Sequence, residues 1–346
     1  MGLIENIFLD GGIISGGLVI VFLVSFFSIF LYKKFAIKFN IVANPNFRTL
    51  HEKPMPTGGG FIFSLFFVAS ILTLWMSNKV SLSILNVFFI GALSATLFGF
   101  FDDIINLNAS KKLIVQIVLS CWTLYSLSAV FFVNNDNMSN IFLFLVLLFF
   151  SVWFMNAFNF MDGIDGLAIS GSVFFCFIFI VVLIASNSKT ELIYVFLFLL
   201  ACTSSFMFFN WPPATIFMGD SGSIFLGYTF GALALFTVGS GAISAWTWLV
   251  VFGYFFADTF MTQILRLFLV KKWYKAHRSH AYQNLARIKN NHLFVTTGIT
   301  VYHVIWILPL SIWTILQPEY AHFAVLSAIT PGLIFTYLYG PIFSSS

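Results

Sequence analysis

Long apolar runs alternate with short polar stretches along almost the whole chain. A helix that crosses a bilayer needs about 20 mostly apolar residues, and eleven runs meet that requirement. They lie at 12–32, 60–76, 80–101, 113–133, 141–158, 168–186, 192–209, 221–240, 245–266, 295–316 and 323–340. Little sequence is left between them. We therefore predict an all-α polytopic integral membrane protein with about 11 transmembrane helices, forming a single domain over residues 1–346.

Composition supports this interpretation. The chain is 60% hydrophobic and only 8% charged, and its mean hydropathy is +0.98. These values exclude a soluble globular protein and a disordered chain. The lipid bilayer is therefore the predicted environment.

The basic residues predict the orientation, because cytoplasmic loops near helix ends retain Lys and Arg. With the N-terminus outside, fourteen of the 16 basic residues fall in inner segments. Only Lys79 and Lys189 then fall outside. This bias also explains the net charge of +4, so the charge is weak evidence for nucleic acid and we predict no nucleic-acid partner.

Five carboxylates lie where apolar runs stop on the predicted cytoplasmic side. They are Asp102, Asp103, Asp162, Asp165 and Asp220. Ionised side chains at membrane depth are costly, so such clustering indicates function. The cytoplasmic loops are therefore predicted to form an active site that handles a metal and phosphates.

Asp102 and Asp103 are adjacent, and the next inner segment contains Lys112. Neighbouring carboxylates repel one another unless a cation offsets the repulsion, which suits a general base or a nucleophile. The alternative is that the pair merely ends a helix at the membrane interface.

Asn156, Asn159, Asp162 and Asp165 fall within ten residues, with Gly163 among them. Two amides and two carboxylates could converge on one polar ligand, and an oxygen-rich site with few protein ligands suits Mg²⁺. The alternative is a turn that caps the following helix, with Asp165 near its N-terminus.

Asp220 starts an apolar run and follows Phe217 by three residues. The N–H groups at a helix start favour anions and could hold a phosphate, while Asp220 itself would more readily hold a metal. Phe217 could stack on a nucleobase. Because the chain has 48 Phe residues, contact with lipid or the core is the simpler interpretation of any one of them.

Two basic loops complete the pattern. Arg48 and His51 precede the run Gly58–Gly60, whose backbone amides could approach an anion, although a turn into the next helix is the simpler interpretation. His277 and His280 are three residues apart and could face a pyrophosphate from one helical face. A solvated basic face is the alternative.

These motifs, in this order across residues 44–283, resemble the polyprenyl-phosphate N-acetylhexosamine-1-phosphate transferases, glycosyltransferase family 4. The most specific stretches are 156–168 and 217–222. The resemblance implies transfer of an N-acetylhexosamine-1-phosphate from a UDP-sugar to undecaprenyl phosphate, releasing UMP. It further implies Mg²⁺, or Mn²⁺ in its place, and a location in the bacterial inner (cytoplasmic) membrane.

The same resemblance implies a role for each matching residue. Asp102, Asp103 and Lys112 would be catalytic, with Asp102 acting on the lipid phosphate. Asp220 and Asp162 would bind the metal. Substrate binding would fall to Arg48, His51, Asn156, Asn159, Asp162, Asp165, Phe217, His277 and His280. A one-step attack by the lipid phosphate is the preferred hypothesis, and a covalent phospho-aspartate at Asp102 is the alternative.

Ser279 stands where many relatives have a third histidine. This departure argues against the branch that uses a muramoyl-peptide nucleotide. The stretch 278–283 resembles transferases that begin O-antigen (lipopolysaccharide) or capsule units with a 6-deoxy-N-acetylhexosamine such as N-acetylfucosamine or N-acetylquinovosamine.

Two further alternatives stay open. A secondary transporter or lipid-handling protein could use buried acids for ion coupling, but it should carry them near mid-membrane in two related halves. Gly227 and Gly231 form a Gly-x-x-x-Gly pair, which would suit either a homodimer or helix packing within one subunit.

Overall fold

The computed structural model describes residues 11–43, 54–131, 137–188, 190–270 and 277–341. Nearly all of these residues are helical. The helices are α1 (Gly11–Lys38), α2 (Gly59–Met76), α3 (Leu82–Ile105), α4 (Ala109–Ser126), α5 (Ser128–Phe131), α6 (Asn137–Met161), α7 (Leu167–Ala185), α8 (Thr190–Asn210), α9 (Asp220–Gly239), α10 (Ala245–Val251), α11 (Gly253–Leu269), α12 (Ala281–Lys289), α13 (His292–Leu316) and α14 (Ala321–Tyr339). Two short strands, β1 (Val42–Ala43) and β2 (Met55–Pro56), pair antiparallel with Val42 opposite Pro56.

Within the described ranges, nine helical segments are long and apolar enough to cross a membrane. A tenth span is formed if α10 and α11, which meet at a 76° bend, are counted together. The remaining predicted segment, 113–133, is covered by α4 and α5. Lys111, Lys112 and Gln116 make α4 less apolar than the other long helices. The prediction of an all-α polytopic membrane protein is confirmed.

Helix α9 lies at the centre of the bundle. Every residue from Ser221 to Thr237 is buried, and α9 packs most extensively against α3 and α6. Small residues allow this close packing. A Cβ on Gly227 would lie 2.5 Å from the Met155 Cα of α6, and one on Gly231 would lie 3.1 Å from the Phe154 Cβ. The glycine pair is therefore used inside the subunit and is not evidence for a homodimer.

The same packing brings the first residue of α9 to the last turns of α3 and α6. A Cβ on Gly99 of α3 would lie 2.3 Å from the carbonyl oxygen of Asp220, a separation that only glycine tolerates. Because α4 starts just after α3 ends, its first turn reaches the same place. Four helix ends consequently meet there, and each carries a polar side chain of the sequence motifs.

Candidate active site

Asp220 is the centre of the polar cluster. One oxygen of its carboxylate, Oδ1, accepts a hydrogen bond from Asn159 Nδ2 at 2.9 Å, and Oδ2 accepts one from Lys112 Nζ at 2.7 Å. The Asn159 amide also donates to Ser223 Oγ at 3.0 Å. Side chains of α4 and α6 therefore hold the Asp220 carboxylate, and Ser223 of α9 in turn accepts a hydrogen bond from the Asn159 amide.

Lys112 lies between two carboxylates. Besides Asp220, its ammonium forms an ion pair with Asp102, whose side chain is 1% exposed. The other oxygen of Asp102 accepts the N–H of Leu107 at 2.8 Å. Burial lowers the pKa of Lys112, but the nearby charges of Asp220 and Asp102 more than offset burial and hold the pKa above its ordinary value. The lysine is thus a fixed cation between Asp102 and Asp220.

Asp103 has a different position from its neighbour. Its two oxygens accept the backbone N–H groups of Asp220 at 2.7 Å and Ser221 at 3.1 Å. The preceding Gly219 has a positive φ of 76°, and a Cβ there would lie 2.5 Å from Asp103 Oδ2. Asp103 therefore caps the start of α9 and fixes the backbone of Asp220. These two N–H groups already have a carboxylate partner, so the prediction that they hold a phosphate is wrong.

Asp162 follows α6 in a short loop that ends at Gly166. The side chain is partly buried, and no described residue donates a hydrogen bond to its carboxylate. Burial and then the negative charges of Asp220, Asp103 and Asp165 raise the pKa of Asp162 well above its ordinary value. A cation close to Asp162 would relieve this accumulation of negative charge.

Asp165 contacts other parts of the protein. Its Oδ2 accepts the N–H of Ala214 at 3.0 Å, and its Oδ1 lies 3.3 Å from His292 Nδ1. Its carbonyl oxygen accepts the hydroxyl of Thr296 at 2.7 Å. Asp165 ties the loop after α6 to the start of α13. Of the predicted side chains, Asn159 contacts Asp220, and the charge of Asp162 interacts with that of Asp220, whereas the Asp165 carboxylate bonds to Ala214 and lies beside His292. Convergence of Asn159 and Asp162 on one ligand stays a prediction.

Asn156 is also placed outside the cluster. It donates to Gln116 Oε1 at 2.9 Å and to the Val152 carbonyl at 2.8 Å. Gln116 is 3% exposed and joins α4 to α6 next to the centre that contains Lys112 and Asn159. The sequence prediction missed Gln116, although a polar side chain inside the apolar run 113–124 was a usable signal.

The glycine run after Arg48 and His51 has a structural role. The N–H groups of Gly59 and Gly60 donate to the carbonyls of Phe217 at 3.0 Å and Met218 at 2.9 Å. The N–H of Phe217 in turn donates to the Pro56 carbonyl at 2.8 Å. These amides hold the approach to Asp220 in place, so the anion-binding interpretation is wrong for Gly59 and Gly60. Arg48 and His51 themselves lie outside the described residues, and the stacking role of Phe217 stays a prediction.

His277 and His280 do not lie on a helix, since residues 277–280 form an irregular segment before α12. The prediction of one helical face is wrong, but the two rings do stack, with their centroids 5.0 Å apart. The centroid of the Phe160 ring lies 5.7 Å from that of His280 and 6.3 Å from that of His277. His280 is 2% exposed, whereas His277 is partly exposed. The Tyr282 hydroxyl donates to the Phe160 carbonyl, so the segment is fixed beside the loop that contains Asp162.

The donor set around Asp220 fits a hard cation. No three His, Cys, Asp or Glu side chains of the described residues form a metal-binding group. Mg²⁺, however, is commonly held through one or two carboxylates, with water and substrate phosphates completing the shell. Asp220 and Asp162 offer two carboxylates whose charges interact. The residues present therefore fit Mg²⁺ of this kind.

Fold and site together define a multi-pass membrane protein with a carboxylate–lysine centre where helix ends meet. The family model for glycosyl transferase family 4 matches residues 84–238, which include Asp102, Lys112 and Asp220. This part of the chain is therefore similar to that family.

Curated relatives extend the similarity. The chain is 31% identical over 227 residues to a protein of Bacillus subtilis named "Probable undecaprenyl-phosphate N-acetylglucosaminyl 1-phosphate transferase", covering 63% of this chain and 62% of the relative. It is 29% identical over 216 residues to a phospho-N-acetylmuramoyl-pentapeptide-transferase of Carboxydothermus hydrogenoformans, covering 55% and 64%. A protein of the same name from Petrotoga mobilis is 31% identical over 208 residues, covering 54% and 62%. The chain thus spans less than two thirds of the length of these relatives.

Proposed function

We propose that the protein is a glycosyl-1-phosphate transferase that moves an N-acetylhexosamine-1-phosphate from a UDP-sugar to undecaprenyl phosphate and releases UMP. The observation that carries the proposal is the ion-paired arrangement of Asp102, Lys112 and Asp220 within the segment matched by the family model. The names of the relatives supply the substrate class.

The proposed reaction is one displacement at phosphorus. An oxygen of the lipid phosphate forms a bond to the sugar-linked phosphorus, and the bond from that phosphorus to the bridging oxygen of UMP breaks. UMP leaves with the electron pair. Asp102 would take the remaining proton of the lipid phosphate, and its ion pair with Lys112 would keep the carboxylate in the ionised form that can accept a proton. Lys112 would offset the negative charge shared by the two phosphates and the carboxylates.

We assign the metal to Asp220 and Asp162. Mg²⁺, or Mn²⁺ in its place, would supply Lewis-acid withdrawal of charge from the diphosphate. Asn159 would orient the Asp220 carboxylate, since its amide donates to Oδ1 and leaves the other oxygen to Lys112. Asp103 would fix the backbone beneath it. Its predicted catalytic role thereby becomes a positioning role in this proposal.

An apolar groove supports a lipid acceptor. A cavity of about 470 Å³ lies among α6, α10, α11 and α14, and only apolar side chains line it. Phe149 and Trp153 of α6 belong to this lining. Trp153 precedes Asn159 by six residues, so the groove's lining on α6 ends about 9 Å along the helix axis from the end that carries Asn159. An isoprenoid chain in the groove would have its phosphate at that end.

We place the site on the cytoplasmic side of a bacterial inner membrane. Support comes from the basic residues of the described helix ends. Lys111 and Lys112 lie in the first turn of α4, beside the site. Arg287 and Lys289 lie in the last turn of α12, which packs on the loop that contains Asp162. The retention of Lys and Arg on the cytoplasmic side then orients the bundle.

We further propose a 6-deoxy-N-acetylhexosamine as the sugar and the first lipid-linked intermediate of a surface polysaccharide such as O-antigen as the product. Ser279 supports this choice. Its Oγ lies 3.0 Å from His277 Nδ1, and Arg266 Nη1 donates to it at 3.5 Å. A serine hydroxyl fills less space than the imidazole of the third histidine that many relatives have at this position.

The experiment is a donor screen with purified protein in detergent, undecaprenyl phosphate and Mg²⁺. UDP-N-acetylhexosamines with and without the 6-hydroxyl are compared, and both UMP and the lipid-linked product are measured by mass spectrometry. We expect product from one 6-deoxy donor, with UMP released in equal amount. Product from UDP-N-acetylglucosamine alone would overturn the sugar assignment, and no product from any donor with folded protein would overturn the transferase.

A further inference from the structure

Asp258 of α11 is a fully buried carboxylate that the proposed reaction does not use. It is 0% exposed, and four groups approach its Oδ1. They are the Thr262 hydroxyl at 3.1 Å, the Ala281 N–H at 3.2 Å, the Thr336 hydroxyl at 3.5 Å and His280 Nδ1 at 3.6 Å. Its Oδ2 has no hydrogen-bond partner among the described residues.

A buried carboxylate is costly unless it is hydrogen-bonded and paired, so this side chain needs its partners in place. Thr262 is on the same helix and Thr336 is on α14. His280 ends the irregular segment 277–280 and Ala281 is the first residue of α12, and both are more than twenty residues away along the chain. Asp258 is therefore one point at which the irregular segment 277–280 is anchored to the helical bundle, beside Gln263, whose Nε2 lies 3.2 Å from His277 Nε2, and Arg266, which donates to Ser279 Oγ at 3.5 Å.

The anchor extends from His280 to His277 through ring contacts. The two imidazoles stack at 5.0 Å and 28°, and the Tyr282 ring also stacks on the His280 ring, with the centroids 5.8 Å apart. His280 is too buried to contact a substrate, whereas His277 is partly exposed beside Phe160. The accessible His277 is thus held by its stack on the buried His280 together with its contacts to Gln263 Nε2 at 3.2 Å and Ser279 Oγ at 3.0 Å.

We propose that Asp258 is the positioning residue of the histidine segment. It fixes the His280 ring and the Ala281 N–H, and through them it holds His277 beside the loop that contains Asp162. This inference rests on the proposed function in one respect, namely that His277 contacts the diphosphate of the donor. The anchoring itself is independent of the reaction.

The kinetic test compares Asp258→Leu, Asp258→Asn and the matched control Thr262→Val. At position 258, leucine removes both acceptor oxygens at similar side-chain volume, and asparagine keeps one acceptor oxygen. At position 262, valine removes one hydroxyl donor to the Asp258 carboxylate and leaves the histidine segment unchanged. We expect KM for the UDP-sugar to rise by roughly tenfold or more in Asp258→Leu, the effect of one buried hydrogen bond, and by less in Asp258→Asn. KM for the lipid phosphate should stay within about twofold in all three variants.

A second readout does not need activity. Diethyl pyrocarbonate labels accessible histidines, and trypsin cuts after Arg278 and Arg287, so the peptide 279–287 carries His280 as its one histidine. His280 should be protected in the unmodified protein and in Thr262→Val, and it should be labelled at least severalfold faster in the Asp258 variants. If Asp258→Leu does not fold, Asp258→Asn alone decides.

Unchanged labelling together with an unchanged donor KM in a folded Asp258 variant would overturn the proposal. Faster labelling in Thr262→Val to the same extent would also overturn it, because any loosening of α11 would then suffice. Faster labelling in the Asp258 variants without any transferase activity in the unmodified protein would instead refute the proposed function and leave the anchor intact.

Discussion

Replacing Asp103 with alanine should lower stability and activity together. The carboxylate accepts two backbone N–H groups at the start of α9, at 2.7 and 3.1 Å. Loss of an N-cap costs about 1 kcal/mol, within a range of roughly 0.5 to 2. A charge-assisted bond is stronger, about 1.5–3 kcal/mol, and the negative charge at a helix N-terminus adds roughly 0.3–1 kcal/mol. Because both bonds come from one group, we expect about 2–4 kcal/mol for their combined loss.

The activity loss follows from the same contact. Asp220 is the first residue of α9, so an uncapped first turn moves the carboxylate that Lys112 and Asn159 hold. Asp103→Asn should lower stability and activity less than Asp103→Ala does. One amide oxygen can still accept a backbone N–H, but the NH₂ group of asparagine faces the other N–H donor. Thermal unfolding in detergent, followed by tryptophan fluorescence, and UMP release are measured on the same preparations.

Ser244→Ala is the matched control. Ser244 caps α10, where its side chain accepts the N–H of Thr247 at 3.1 Å. It is exposed and neutral, so this substitution should cost about 1 kcal/mol or less and leave UMP release unchanged. If Asp103→Ala unfolds at the same temperature as the unmodified protein while activity is lost, Asp103 acts on the substrate and the capping argument is refuted.

Three other outcomes are expected. Gly219→Ala should abolish activity and lower the unfolding temperature, because the added Cβ would lie 2.5 Å from the Asp103 carboxylate. Gly241→Ala is the control, since Gly241 also has a positive φ, 70°, but nothing lies within 4 Å of an added Cβ, so only the backbone strain of about 1–2 kcal/mol is expected. Equal effects of the two substitutions on thermal unfolding would refute the clash with Asp103. Asn156→Ala and Gln116→Ala should have non-additive effects on stability in a double-mutant cycle, since the two side chains bond each other, and additive effects would contradict the pairing. Lys112→Gln should reduce kcat by at least about 100-fold, as expected for the loss of a charged group that stabilises the transition state; a kcat within tenfold of the unmodified value would exclude that role.

The general architecture could be predicted because it depends on local patterns. Apolar runs of about 20 residues predict spanning helices, and the motif positions at their ends predict where the polar cluster lies. Asp102, Lys112, Asn159 and Asp220 meet as expected.

The remaining features depend on contacts between distant segments. Nothing in the sequence around Asp103 shows that its carboxylate bonds the backbone 117 residues later. This bond makes Asp103 a helix cap, whereas the sequence predicted a catalytic role like that of Asp102. From the sequence, the N–H groups of Gly59 and Gly60 are expected to be available for an anion. In the fold, these groups instead bond the backbone carbonyls of the stretch that begins at Phe217. Asp258 likewise meets partners that lie more than twenty residues further along the chain, namely His280 and Ala281.

The most direct test of the central claim is UMP release by Asp220→Asn beside the unmodified protein, with undecaprenyl phosphate, the active UDP-sugar and Mg²⁺. Asparagine keeps the size of the side chain and one acceptor for Asn159 but removes the charge that faces Lys112 and the metal. We expect Mg²⁺-dependent and lipid-dependent UMP release from the unmodified protein. In the variant, the rate of UMP release should fall by at least about 1000-fold while the unfolding temperature stays nearly unchanged. UMP release within tenfold of the unmodified protein would contradict the claim that Asp220 lies at the reacting centre.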